Sequence, residues 1–358
     1  MRSFEVSFAE EKPKKSKNMV VGSIIAIVCL LGTSSILPLA DGYQGVSSVL
    51  RLIWRWQMLV AYCLPFSIYF WYSQRDQIDI DKVLCKETGV QFFTAAMLWM
   101  TASNLLLLSS DYTIVGRAAL FGNLGGVFLV GLSLCRAQIV HGLEIWGSVV
   151  VVLVAVGMLL GVMDVDESTP SKNNGQTNIL YGDILALSSA PFYGFYILVS
   201  SKLVAKLPSM IVLNINFLIQ LIVILIIYPF FFNMDKFCSF DPHTGLLGWA
   251  ADKYLFYSLF FVAIFAGIFG IGGYVFTLDY FAPHVVGTIF LLEPVLGQVL
   301  GILLGQDNMP GLMTYVGAIG ILAGLGMIMR GDFLKRKKEE IEKGKRGKKE
   351  DEERMLGG

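Results

Sequence analysis

The sequence predicts an all-α integral membrane protein, ten transmembrane helices arranged as two inverted five-helix repeats, and three observations lead there. The first is composition: 55% hydrophobic against 16% charged residues over 358 positions, with a mean hydropathy of +0.63. That leaves too little polar surface for a soluble protein of this length. The second is the succession of apolar runs near the ~20 residues that a helix needs to cross the hydrocarbon core. The third is internal similarity. Gly126, Gly131 and Gly147 recur at nearly constant spacing as Gly297, Gly301 and Gly317, and each set is preceded by a very short turn, Ser110-Asp111-Tyr112 in one and Phe281-Ala282-Pro283-His284 in the other.

Residues 1–18 form a polar tail with Lys12, Lys14, Lys15 and Lys17 directly before the first apolar run. That run, Met19 to Leu39, is too long for a signal-peptide core and lacks a small-residue cleavage site, so it reads as a retained first span. Nine more follow, at about 49–72, 88–110, 112–134, 142–163, 179–202, 209–232, 254–278, 284–305 and 310–330. The segment 164–178, rich in Asp, Ser and Asn, separates a first repeat (19–163) from a second (179–331). Five spans are an odd number, so the second repeat enters from the opposite side, which makes the pair inverted. Residues 332–358 mix runs such as KRKKEE and KKEDEER with no apolar face. They read as a solvated tail with a helical start, the alternative being contact with anionic lipid or a partner.

Orientation follows from the basic residues. With both termini cytoplasmic, Lys and Arg gather in the tails, the loop 73–87, Arg136, Lys202 and Lys206, while only Lys172, Lys236 and Lys253 fall on the other side. The organelle is not specified by any terminal signal.

Several classes are excluded. The 28 basic and 28 acidic residues cancel and are segregated into tails and loops, so nucleic acid is not suggested. Cys29, Cys63, Cys85, Cys135 and Cys238 lack metal-ligand spacing and read as packing or free thiols. His141, His243 and His284 lie near span ends or in loops. With no HExxH, P-loop or serine-hydrolase elbow, the chain is read as neither an enzyme nor a metal or cofactor protein.

The polar residues at membrane depth carry the functional reading. Gly287–Gly305 is apolar enough to cross a bilayer yet holds Glu293 and Pro294 near its middle. A charge at the bilayer centre costs about 2.5–3.5 kcal/mol on insertion scales, so Glu293 must be neutral or paired. Pro294 removes a backbone donor and clashes with the carbonyl of Phe290, which kinks the helix or frees polar backbone and is tolerated at depth only against protein or a water-filled cavity. Glu293 is therefore either a glutamic acid bonded between helices or a pathway residue that binds solute or a coupling proton. Arg117 and Asn123 occupy the corresponding region of the first repeat, on opposite sides of their helix. Arg117 either snorkels to the interface or partners an anion or Glu293. Arg51 is expected at the interface and Arg55 deeper, in the pathway or a structural ion pair. Tyr274, Tyr193 and Tyr196 could touch solute or simply pack. Asp183 reads as an interfacial or capping acid. Gly297, Gly301 and Gly305, with Gly122 and Gly126, form side-chain-free stripes for close helix packing; such stripes serve a homodimer equally well. Gly267, Gly270, Gly272 and Gly273 mark the eighth span as a bending or cavity-lining helix.

Leu291-Leu292-Glu293-Pro294-Val295, the small residues after it, Pro310, Gly317 and Gly324 resemble the second-repeat signature of the drug/metabolite transporter superfamily, EamA type. Arg55-Trp56, Tyr274, Gly182-Asp183 and the five-plus-five count add to the resemblance. Asn123 stands where the family often has proline, and Gln138 and Gln306 where it often has glutamate. The resemblance implies a ten-helix transporter whose inverted halves enclose a central solute pathway. The expected function is alternating-access secondary transport of a small polar organic solute, with or without a coupling proton. A nucleotide-sugar or phosphorylated-metabolite exchanger is the alternative within transport, and a non-transporting scaffold the alternative outside it.

Overall fold

The computed structural model describes residues 19–35, 48–74, 85–110, 112–113, 115–135, 141–159, 179–230, 238–241, 243, 245–251, 253–281 and 283–303, and with interruptions 315–338. These residues are helical apart from turns, with no strand among them. The helices are α1 (Met19–Ser34), α2 (Ser48–Gln74), α3 (Lys86–Ser110), α4 (Val115–Gly122), α5 (Gly125–Cys135), α6 (Gly142–Leu159), α7 (Ile179–Val204), α8 (Ser209–Ile227), α9 (Lys253–Phe261), α10 (Gly273–Thr277), α11 (Pro283–Ile289) and α12 (Glu293–Leu303), followed by α13 (Tyr315–Lys335). The N-terminal tail 1–18, the inter-repeat loop 164–178, Gly305 and everything after Lys338 lie outside the described residues, while α13 runs into the start of the expected C-terminal tail.

Five of the described helices are long and apolar enough to span a membrane: Lys86–Ser109, Leu180–Val204, Ser209–Phe230, Leu259–Thr277 and Tyr315–Lys335. Val20–Ser34, Ala118–Leu132 and Gly142–Val154 are shorter apolar helices. Two of the expected continuous spans are discontinuous. Residues 112–134 divide at Asn123–Leu124 into α4 and α5, and residues 284–305 divide at a 3-10 turn, Phe290–Leu292, into α11 and α12. The eighth expected span is continuous but changes pitch. α9 passes into a π-helical stretch, Val262–Gly272, before α10, as its glycines suggested. Wider π turns concentrate at functional sites.

The outward faces are apolar. On α8, Leu218, Ile222 and Ile226 recur every four residues and are exposed, whereas Asn216 and Gln220, on the opposite face, are buried. Polar groups inward and alkyl groups outward is the pattern of a helix with lipid as its solvent. Because lipid supplies no hydrophobic drive between helices, close backbone approach must hold the spans together. A Cβ on Gly32 of α1 would sit 2.5 Å from the backbone nitrogen of Gly270 and the carbonyl of Phe265. Gly287 of α11 seats against the Cα of Gly126 in α5, and Gly147 of α6 against Gly324 of α13. Gly126 and Gly297, the latter near the carbonyl of Ser34, lie at contacts between helices. The surroundings of Gly301 are not among those described.

Helix pairing follows from these contacts. α1 lies along the π stretch and α10, α3 along α7, and α2 along α8. The two broken spans cross each other, α11 against α5 and α12 against α4. In addition α1 packs on α12, while α4 and α5 pack on α7.

Side-chain bonds fix the ends of the bundle. At one end the Lys206 ammonium, just after α7, donates to Thr88 Oγ1 and Gln91 Oε1 of α3, both at 3.2 Å, and the Ser209 hydroxyl donates to Asp279 at 2.5 Å. At the other end Thr113 Oγ1, in the turn after α3, donates to Asp183 Oδ1 at 2.7 Å. Asp183 is fully buried. The expectation of an interfacial acid is corrected here: the α3–α4 turn folds over the start of α7 and takes the carboxylate out of solvent.

Candidate functional site

The site forms where the two helix breaks meet. At the first break, Asn123 follows the last turn of α4, its backbone N–H still bonded to the carbonyl of Ala119 at 3.1 Å. At the second, the 3-10 turn ends as α12 starts on Glu293. Pro294 follows this turn, whose last bond runs from the Glu293 N–H to the Phe290 carbonyl, the acceptor that a donor at position 294 would otherwise use. The 3-10 turn before Pro294 accommodates the missing donor. The surroundings of the Pro294 ring are not among those described.

Glu293 is buried, and Asn123 Nδ2 donates to its Oε2 at 3.1 Å. The Tyr274 hydroxyl lies 3.4 Å from Asn123 Oδ1 and donates to it, and the Ser34 hydroxyl donates to the Glu293 carbonyl at 3.2 Å. A carboxyl group, a carboxamide and a phenol from α12, the α4–α5 break and α10 are thereby joined in one line. Of the alternatives left open for Glu293, the bond between helices is present. The same carboxyl that Asn123 holds lines a cavity with Arg55, Tyr193 and Tyr274.

That cavity lies among helices of both halves of the chain. Thr33 of α1 and Ser103 of α3 add hydroxyls to its wall, and Leu106 and Leu107 add alkyl surface. Trp99 of α3 is its aromatic centre, packed edge-on against Tyr193 (centroids 5.2 Å apart) and Tyr274 (5.8 Å) and tilted on Tyr196 (4.6 Å). Tyr274 also stacks on Phe290, in the 3-10 turn. About 30 Å3 is open to water-sized molecules, room for roughly one or two of them.

Of the candidates read from the sequence, Glu293, Asn123, Arg55, Tyr274 and Tyr193 are brought together. Tyr196 packs behind Trp99, and the side chain of Arg117 is outside the described residues. Sequence reading missed Trp99, Ser103 and Thr33. Trp99 and Ser103 are four residues apart and so on one face of α3. The face they share was the available signal, weakened by the Thr, Ser and Asn residues scattered around the same helix. Asn216 and Gln220 were missed as well; both are buried, with Asn216 Oδ1 and Nδ2 and Gln220 Oε1 lacking a hydrogen-bond partner among the described residues.

Apolar helices of spanning length define a multi-pass integral membrane protein. Residues 180–330 match the EamA-like transporter family, consistent with the drug/metabolite transporter superfamily. Among solved structures 28 chains match. One, described as "Crystal structure of protein", aligns over 88% of this chain and 99% of its own with a TM-score of 0.59 and 11% identity, a likeness of fold alone. No curated protein matches the chain.

Proposed function

We propose that the chain is a secondary transporter that moves a small polar organic solute by alternating access, through a site at the meeting of two inverted five-helix repeats, 19–163 and 179–331. The observation that carries this reading is the Glu293–Asn123 bond at the junction of the two broken spans, facing a polar cavity. Irregular backbone at membrane depth is tolerated only against protein or a water-filled cavity, and Asn123 and Glu293, at the two breaks, both line one. The pairing of helices supports the repeats. Exchanging each span with the one five places along turns α1–span 8 into α7–α3 and α1–α12 into α7 with α4 and α5. The α2–α8 pair and the crossed broken spans map onto themselves.

Arg55 in the same cavity favours a second reading, a nucleotide-sugar or phosphorylated-metabolite exchanger, since a guanidinium suits phosphate. Reconstitution into liposomes with labelled solutes, with and without a pH gradient, separates the two. Uptake of an uncharged or zwitterionic metabolite supports the first; strict counter-exchange of phosphorylated solutes supports the second. Absence of both would favour a scaffold. If Glu293 carries a coupling proton, Glu293→Gln removes the pH dependence of uptake, and an unchanged profile rejects that role.

The charge distribution supports cytoplasmic termini, with the Lys206–Thr88 end of the bundle on the same side. An impermeant maleimide should then label Cys85 and Cys135 from the cytoplasm and Cys238 only from the opposite face. Cys85 should react fastest as pH rises: hydrogen bonding by Thr88, with the Lys206 ammonium near, holds its thiol below the usual range, so thiolate forms at lower pH. Labelling of Cys238 from the cytoplasm would invert the topology.

A further inference from the structure

We infer that two glycine-seated turns, one at each end of the bundle, are the latches whose alternate release opens the cavity, an inference that rests on the transport reading. At one end the turn after α10 lies on α1. A Cβ on Gly22 would come within 2.8 Å of Tyr280 Cβ and 3.1 Å of the Phe281 ring. At the other end the turn after α3 lies on α7. A Cβ on Gly182 would come within 2.8 Å of the Thr113 backbone nitrogen and 3.0 Å of Tyr112 Cβ. In both places a short turn bearing a tyrosine sits on a glycine one turn into a helix of the other half of the chain. No other residue leaves that depth free.

The two contacts are at opposite ends. Ser209, which directly follows the Lys206 end of α7, is bonded to Asp279 beside Tyr280, whereas Gly182 and Asp183 are at the start of α7. Each latch has its own lock: Thr113 to Asp183 together with the edge-on Tyr112–Tyr181 pair (5.1 Å) at one end, and Ser209 to Asp279 at the other. Both are seated at once here, which accounts for a cavity with room for little more than water.

The arrangement dictates alternation. The Tyr112 turn belongs to residues 19–163 and seats in 179–331, while the Tyr280 turn belongs to 179–331 and seats in 19–163. Rocking one half against the other about the crossed broken spans lifts one turn from its glycine and presses the other down. Closely packed interfaces have discrete arrangements rather than a continuum, so each latch is either seated or free.

The test uses the full-length chain in liposomes with its native cysteines replaced, and a reporter cysteine in the cavity, Ser103→Cys, read by impermeant maleimide. A disulfide between Gly22→Cys and Tyr280→Cys should confine labelling to the Tyr112 face. One between Tyr112→Cys and Gly182→Cys should confine it to the Tyr280 face, and both together should abolish it. Should the paired variants fold poorly, Gly22→Ala and Gly182→Ala alone are read instead. Each added methyl displaces one turn and should raise labelling from that face about tenfold over the other, the scale of a modest overpacking penalty. Labelling from the locked face, or labelling indifferent to either lock, overturns the latches. The readout requires no solute, so alternating access without any uptake would leave the latches standing and reject the transport reading. Uptake with unchanged labelling would do the reverse.

Discussion

Asn123→Leu is expected to destabilise the protein by about 1.5 kcal/mol and to reduce uptake at least tenfold. The substitution keeps the approximate volume but deletes the amide that donates to Glu293 Oε2. Hydrogen bonds to charged groups contribute about 1.5–3 kcal/mol in soluble proteins, while side-chain bonds between membrane helices average only ~0.6 kcal/mol with a maximum near 1.7. The upper end of the membrane range applies because Glu293 is buried and its neighbours Trp99, Tyr193 and Tyr274 leave little water to replace the amide. A shift of that size is about tenfold in the unfolding equilibrium, measurable by thermal or denaturant unfolding in detergent. Asn123→Leu combined with Glu293→Leu removes both partners and should recover most of the stability without recovering transport. Recovery of both by the double variant would show that the pair is packing only.

The second large effect is expected at Gly32, where α1 crosses the π stretch. The added methyl of Gly32→Ala would meet the backbone of Gly270 and Phe265 rather than a side chain able to turn away. Overpacking costs about 1–3 kcal/mol, and an obstruction made of backbone on both sides belongs at the top of that range. Gly32→Ala should therefore lower the unfolding temperature by several degrees, and Gly270→Ala, which meets Thr33 and Gly32, should do the same. Gly89→Ala is the control. Nothing lies within 4 Å of the new atom, and alanine is the better helix former, so stability should hold or rise. Equal tolerance at Gly32 and Gly89 would show that the α1 contact is not close enough to matter.

The depth of polar groups was legible in the sequence because lipid permits few of them. Glu293 in an apolar run, Pro294 next to it and Arg55 near the start of α2 stand out against their neighbours, and Tyr274 follows a glycine-rich stretch with an evident bending role. The partner of Glu293 was not legible. Asn123 was noticed for its position in the repeat, yet nothing local says that its amide reaches a carboxyl 170 residues further on. Trp99 and Ser103 were hidden for a related reason, since an aromatic and a hydroxyl on a membrane helix are more often packing, and only the convergence of α3, α7 and α10 gives them a common cavity. The helix breaks were half legible. Proline announced the one before Glu293, but the break at Asn123–Leu124 has no proline and depends on where the crossing helix presses. Asp183 was misjudged because burial at a helix start depends on what folds over it.

The sequence by itself determined a membrane-embedded chain of apolar helices with an acid at depth and a likeness between its halves, because composition, period and repetition are local properties that lipid enforces residue by residue. Tertiary structure alone decided that the two breaks cross and that Asn123 faces Glu293. It also decided that the turns bearing Tyr112 and Tyr280 settle on glycines of the opposite half. Those are relations between segments far apart in the chain, and they exist only once backbones approach closely enough for side-chain-free positions to accept them.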